Sequence, residues 1–187
     1  MRSSRLITAV LGAAALVTTH SGRANGQAPP VTPPAAAVSP ATVDDNRRVV
    51  RQHHERLNAG DWQAALLDYA EDTRNFGRPV GREGLRATFE DIYTTFPDWK
   101  MEIVDLVAEG DSVVVRCTVS GTHKGVGKRP INGGMLVGVA PTGKRFEVQH
   151  IHWNTVRRGK IVDHRATRDD IGMNRQLGLL PPAPGPG

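Results

Sequence analysis

The sequence predicts an α+β fold: three N-terminal helices packed on one face of an antiparallel sheet. Two observations carry this. Apolar residues recur at helical spacing as far as Phe96, and beyond it β-branched, alternating segments are joined by short Gly-containing turns. Helices first and a meander afterwards is the α+β order of elements.

Val49, Val50, His53 and Leu57 mark the first helix, behind the capping candidates Asp44 and Asp45, and Asn58-Ala59-Gly60 ends it. Asp61 caps a second helix carrying Trp62, Ala65, Leu66 and Tyr69 on one side. The third presents Leu85, Phe89, Ile92 and Phe96 and stops before Pro97, where the helical conformation is disfavoured. Strands are predicted over Trp99–Ala108, Val113–Val119, Met135–Val139, Arg145–Arg157 and Lys160–Arg168, with a long loop over Gly121–Gly134. The short connections, among them Arg158-Gly159, imply antiparallel pairing. A closing helix runs from Ile171 to Leu180.

The flanks have a different composition. Arg2 and Arg5 precede an apolar run from Leu6 to Val17, and Gly22-Arg23-Ala24 supplies small residues for cleavage. Residues 1–26 therefore read as a secretory signal, too short for a membrane span, and the mature protein is expected to be secreted or periplasmic, without a membrane partner. Residues 27–43 are rich in Pro, Ala, Val, Thr and Ser and read as a disordered linker; residues 182–187 form a similar tail. Residues 44–181 are one domain of ordinary size.

The net charge of +5 shrinks once the three Arg of the signal are set aside, leaving 21 basic against 19 acidic residues. No basic run interleaves with aromatics, so nucleic acid is not an expected partner. Cys117, the single cysteine, rules out an intrachain disulfide and sits mid-strand as a small buried hydrophobe.

Groups able to move protons concentrate near the end of the chain: His150-Ile151-His152-Trp153, then Asp163-His164-Arg165 and Asp169-Asp170. If Arg158 and Gly159 are the central turn residues, cross-strand partners follow directly. Phe146, Val148, His150, His152 and Asn154 then share a face with Asp163, Arg165, Thr167 and Asp169. Ile151, Trp153, Val162, His164, Ala166 and Arg168 take the other, and a slip of one residue would mix the sets. Asp170, just before Ile171, is a helix-capping candidate, Asp169 less so. Of His53 and His54 only one is expected to face inward. His150-x-His152 also has the spacing of two metal ligands, with Asp163 or Asp169 as a third, which keeps a metal-dependent enzyme as a lesser alternative.

Several motifs recur in order: Asn58-Ala59-Gly60-Asp61, Phe96-Pro97-Asp98, Val107-Ala108-Glu109-Gly110-Asp111, Gly121-Thr122-His123, Pro141-Thr142-Gly143-Lys144, Gly159-Lys160-Ile161-Val162-Asp163-His164 and Arg175-Gln176-Leu177-Gly178-Leu179. With them the chain, from about Asp44 to Pro181, resembles a SnoaL-like polyketide cyclase (ester cyclase) domain of the nuclear transport factor 2-like superfamily. Arg165 departs from the Trp that often follows this strand's His in the family.

The resemblance implies a strongly curved sheet wrapped into a cone, a deep apolar pocket closed by the helices, and sheet-to-sheet homodimers. It also implies cofactor-free aldol chemistry without metal, with an Asp as acid/base. Counted back from Gln176-Leu177-Gly178, that residue is Asp169. His150 and His152 are its candidate catalytic partners. Thr167, Arg165 and Asn154, with Phe89 and Trp62 from the helices, are candidate substrate-binding residues. By polarity alone the His/Asp face is the solvent side; the resemblance turns it inward. The expectation is an exported enzyme acting by acid/base catalysis on an apolar, carbonyl-bearing small molecule by aldol cyclisation, isomerisation or hydration. The alternative is a binding protein of the same fold that holds a small molecule without turning it over.

Overall fold

Thr42 opens the first helix in the computed structural model, which describes residues 42–129 and 136–182. Its hydroxyl accepts from the Asp45 N–H at 3.1 Å, and the Asp45 carboxylate accepts from the Thr42 N–H at 2.9 Å. This reciprocal capping box starts α1 (Val43–Asn58), so Thr42, rather than Asp44 or Asp45, is the cap. Thr42 and Val43, expected in the linker, belong to the helix. The signal, the rest of the linker, the loop over 130–135 and the tail from 183 lie outside the described residues.

Asp61 caps α2 (Trp62–Leu66) by accepting from the Ala64 N–H at 3.0 Å. That helix is shorter than expected, because Tyr69 already opens β1 (Tyr69–Asn75). A turn at Phe76-Gly77, with φ of 53° and 74°, returns the chain as the two-residue β2 (Arg78–Pro79). α3 (Gly81–Thr95) ends at Phe96-Pro97 as predicted. β3 (Lys100–Glu109), β4 (Ser112–Thr122), β5 (Arg145–Arg157) and β6 (Lys160–Arg168) follow, and α4 (Asp170–Gln176) closes the chain earlier than Leu180.

The six strands form one curved sheet in the order β2-β1-β6-β5-β4-β3. It is mixed rather than antiparallel, because β1 runs parallel to β6. Leu136–Val139 is a turn with a single bridge from Val137 to Gly127, where a strand was expected. Gly138, with φ of 72°, turns the backbone away from extension there.

Two β-bulges bend the ladder. Val104 is the extra residue of β3 against β4, and Val162 is that of β6 against β5. α1 packs on β3 and α3 on β1. Between these helices and the sheet lie Val113, Val115, Cys117 and Val119 of β4, all fully buried, together with Phe146, Leu66 and Ile161. Burial pushes the Cys117 thiol up to about 12, the behaviour of the inert hydrophobe the sequence implied.

Candidate functional site

Alternation along β5 is complete. Phe146, Val148, His150, His152, Asn154 and Val156 are buried, while Glu147, Gln149, Ile151 and Trp153 are exposed. The polar face of this strand therefore looks into the fold. The turn arithmetic holds at first, with Arg157 opposite Lys160 and Val156 opposite Ile161. The Val162 bulge then shifts the register by one, so Asn154 faces His164, His152 faces Ala166 and His150 faces Arg168.

The bulge exchanges the predicted companions of the two histidines. His164, Ala166 and Arg168 join His150, His152 and Asn154 on the wall of a cavity of about 820 Å³, measured out to its open mouth. Arg165 and Thr167 are on the other face, opposite Trp153 and Ile151, and both are exposed. Arg165 donates to the Asp163 carboxylate at 2.9 Å. Neither can line the cavity as expected.

The helices complete the wall. Phe89 of α3 is there as predicted, with Leu85 and Ile92, and Leu57 lies across from them on α1. His53 and His54 both line it, 4% and 3% exposed, although one was expected to face out. Consecutive helical residues point about 100° apart, and α1 is enclosed by α2 and by strands β3 to β6 across a sector wide enough for both. Trp62 instead stacks on Tyr93, with ring centroids 6.4 Å apart, outside the cavity lining.

Asp169 is exposed. Its carboxylate accepts from the Gly172 N–H at 2.7 Å and caps α4, the role the sequence favoured for Asp170. No carboxylate is among the described residues lining the cavity. Asp169 still stands close enough to His150 for its charge to act on that imidazole. Asp170 is the partner of Arg168, at 3.5 Å, and burial raises its pKa.

Five imidazoles thus meet in one apolar pocket. His150 and His152 stack with centroids 5.6 Å apart, His152 and His164 lie at 5.1 Å, and His54 meets His152 edge-on at 6.3 Å. Burial is the main cause of the depressed basicity of His54, His150, His152 and His164: His54 falls to about 3, with His53 adding to the effect. His150 and His164 fall to about 4. After burial, Arg168 pushes His150 down further and Asp169 opposes; His53 and Arg168 do the same to His164. His152 lies well below its ordinary value, through burial and then the charges of His164 and His150. At neutral pH His54, His150, His152 and His164 are uncharged. His53 Nδ1 lies 3.2 Å from the Ala65 carbonyl, and its Nε2 is 3.4 Å from the Tyr69 hydroxyl. Buried ring nitrogens of His54, His150 and His152 have no hydrogen-bond partner.

The proposed third metal ligand is not brought alongside. Asp163 serves Arg165 and the Gly77 N–H, and Asp169 serves α4. Among the described residues, no group of three or more His, Cys, Asp or Glu side chains is placed to hold a metal ion.

Sequence reasoning missed Tyr69, Asn75, His164 and Arg168 as wall residues. A partly polar β1 and a bulge leave no periodic signature from which to place them.

Residues 47–177 match the SnoaL-like polyketide cyclase family. The nogalonic acid methyl ester cyclase of Streptomyces nogalater is 33% identical over 116 residues, covering 61% of this chain and 74% of that protein. The aklanonic acid methyl ester cyclase DnrD of Streptomyces peucetius is 47% identical over 51 residues, so the chain spans only 35% of that relative's length and the match 27% of its own. Among solved structures, TsrD from Streptomyces laurentii superposes with a TM-score of 0.63 at 29% identity, over 75% of this chain and 99% of TsrD. On the extent of the family match and the shared fold, the chain belongs to the SnoaL-like polyketide cyclases.

Proposed function

We propose that the protein is a cofactor-free cyclase that closes a ring in an apolar, carbonyl-bearing polyketide-like molecule by acid/base chemistry, with Asp169 as the proton carrier. The observation that carries this reading is the cavity itself: apolar walls of Leu, Ile, Phe and Met side chains around neutral imidazoles with unpartnered nitrogens. The Asp169 carboxylate takes a proton from the carbon next to a substrate carbonyl. His150, uncharged, donates a hydrogen bond to the oxygen on which negative charge grows, and His152 orients the substrate. The carbanion attacks a second carbonyl, a carbon–carbon bond forms, and the proton returns to the new alkoxide. Asn154 and Phe89 shape the pocket.

The names of the relatives supply the assay: ring closure of nogalonic acid methyl ester and of aklanonic acid methyl ester by the full-length chain. Asp169→Asn is the informative variant, because Asn caps a helix about as well as Asp and removes only the proton acceptor. Turnover should collapse by two or more orders of magnitude; unchanged turnover removes Asp169 from the mechanism. A second reading has its own support. Because the described lining has no carboxylate, the pocket can hold the same ligands without reacting, and ligand affinity with no turnover in the unsubstituted protein would decide for it.

The same proposal includes export through residues 1–26 to the periplasm or outside the cell, and a homodimer formed through the outer sheet face. Ile151 and Trp153, 46% and 49% exposed, support the dimer as apolar groups on that face. Sedimentation of the full-length and Trp153→Glu chains tests it; a monomer in both refutes it.

A further inference from the structure

A line of hydrogen bonds runs along the cavity wall that the acid/base scheme does not use. It starts on β1, where Asn75 pairs with His164 across the parallel β1–β6 ladder. Asn75 Oδ1 lies 3.1 Å from His164 Nδ1, and the Phe76 N–H donates to the His164 carbonyl at 2.8 Å. His164 Nε2 lies 2.8 Å from His152 Nδ1. His152 Nε2, the end of the line, is buried and has no hydrogen-bond partner, although His54 and His150 flank its ring.

The direction of each bond follows from the first. An amide oxygen only accepts, so His164 Nδ1 carries a hydrogen. A neutral imidazole has one N–H, which leaves His164 Nε2 as a lone pair. That nitrogen must accept, so His152 donates from Nδ1. The remaining nitrogen of His152 is then a lone pair as well. Burial keeps both rings neutral, so each carries a single N–H.

We propose that Asn75 and His164 are positioning residues that hold His152 in its Nδ1–H tautomer, so that Nε2 offers the pocket a hydrogen-bond acceptor and selects ligands with a phenolic or enolic O–H. The ligand half rests on the small-molecule reading above. A ligand bringing only carbonyl or ether oxygen to this point sets lone pair against lone pair, whereas a hydroxyl completes the line. The buried acceptor then discriminates by what it loses when left unpaired.

The tautomers are read from long-range proton–nitrogen spectra of the full-length chain labelled with ¹⁵N-histidine. His152 and His164 should both show the Nδ1–H form near neutral pH; an Nε2–H on His152 overturns the proposal. Asn75→Leu should leave His152 as a mixture of tautomers. A His152 tautomer unmoved by Asn75→Leu refutes the positioning role. Calorimetry with 2-naphthol and 2-methoxynaphthalene tests the ligand half. The naphthol should bind about tenfold tighter, and Asn75→Leu should reduce that preference. Equal affinities, or no binding of either compound, overturn the ligand assignment. Neither measurement needs turnover, so failed ring closure beside the expected tautomers and preference counts against the cyclase reading alone.

Discussion

Acidifying the protein from about pH 7 to about pH 5 should destabilise it steeply, because the buried histidines must stay neutral in the fold and need not in the unfolded chain. His150 and His164 have folded values of about 4, against about 6.5 for an unperturbed imidazole. The unfolded chain therefore binds protons first. The stabilisation is complete above the unfolded value and is lost as pH falls toward the folded one. Each of these two histidines accounts for about 2 kcal/mol over that interval, about 4 kcal/mol together if they titrate independently. That is a large share of the roughly 5–15 kcal/mol that holds a domain of this size together. His54 and His152 act in the same direction. Asp170, whose raised value is relieved on protonation, opposes them. Asp98 acts lower on the scale: burial alone would raise its pKa, but the Thr122 hydroxyl and N–H hold it below the usual carboxylate value, so its loss falls below about pH 4. Urea titrations at several pH values measure the effect. With a slope of about 2 kcal/mol per molar urea, the midpoint should fall by about 2 M. A His150→Gln variant should show a shallower dependence by about one histidine's share. A midpoint that stays level between these pH values would mean that the imidazoles are not buried as neutral groups.

Arg168 faces the cavity and depresses His150, His152 and His164; Arg168→Leu should raise the titration midpoints of all three in proton NMR, and unmoved midpoints would refute its electrostatic role. Phe146 is 1% exposed and packs against Phe96 and Trp99 at 5.1 and 5.9 Å, so Phe146→Ala should cost about 3–5 kcal/mol in denaturant unfolding. The α4 cap separates the two roles of Asp169: Asp169→Ala should lose about 1 kcal/mol of stability and Asp169→Asn almost none, and equal losses would show that the cap contributes nothing.

Strands β5 and β6 were legible to the residue, since two strand-forming runs flank an unambiguous turn at Arg158-Gly159, where φ of 50° and 71° suits a tight hairpin. The inward placement of His150 and His152 was legible only once the family resemblance was allowed to override polarity. β1 was not. Tyr-Ala-Glu-Asp-Thr-Arg-Asn has little apolar content and becomes a strand because the free edge of β6 accepts it: the Ile161 N–H donates to the Asp68 carbonyl, and Thr73 donates to the Ile161 carbonyl at 3.1 Å. The swap of Arg165 and Thr167 for His164, Ala166 and Arg168 has a different cause. Turn arithmetic reports the register at the turn, and a bulge four residues later leaves no mark in composition.

The bulge at Val162 means that the pocket's chemistry is stored as a phase. Substitution edits one wall residue at a time, but gaining or losing a single residue between the Arg158-Gly159 turn and His164 would exchange a whole alternating set, trading His164, Ala166 and Arg168 for their outward neighbours. Related chains with near-identical residues in this hairpin can therefore carry quite different cavities. Aligning such pockets requires counting backbone positions before comparing side chains.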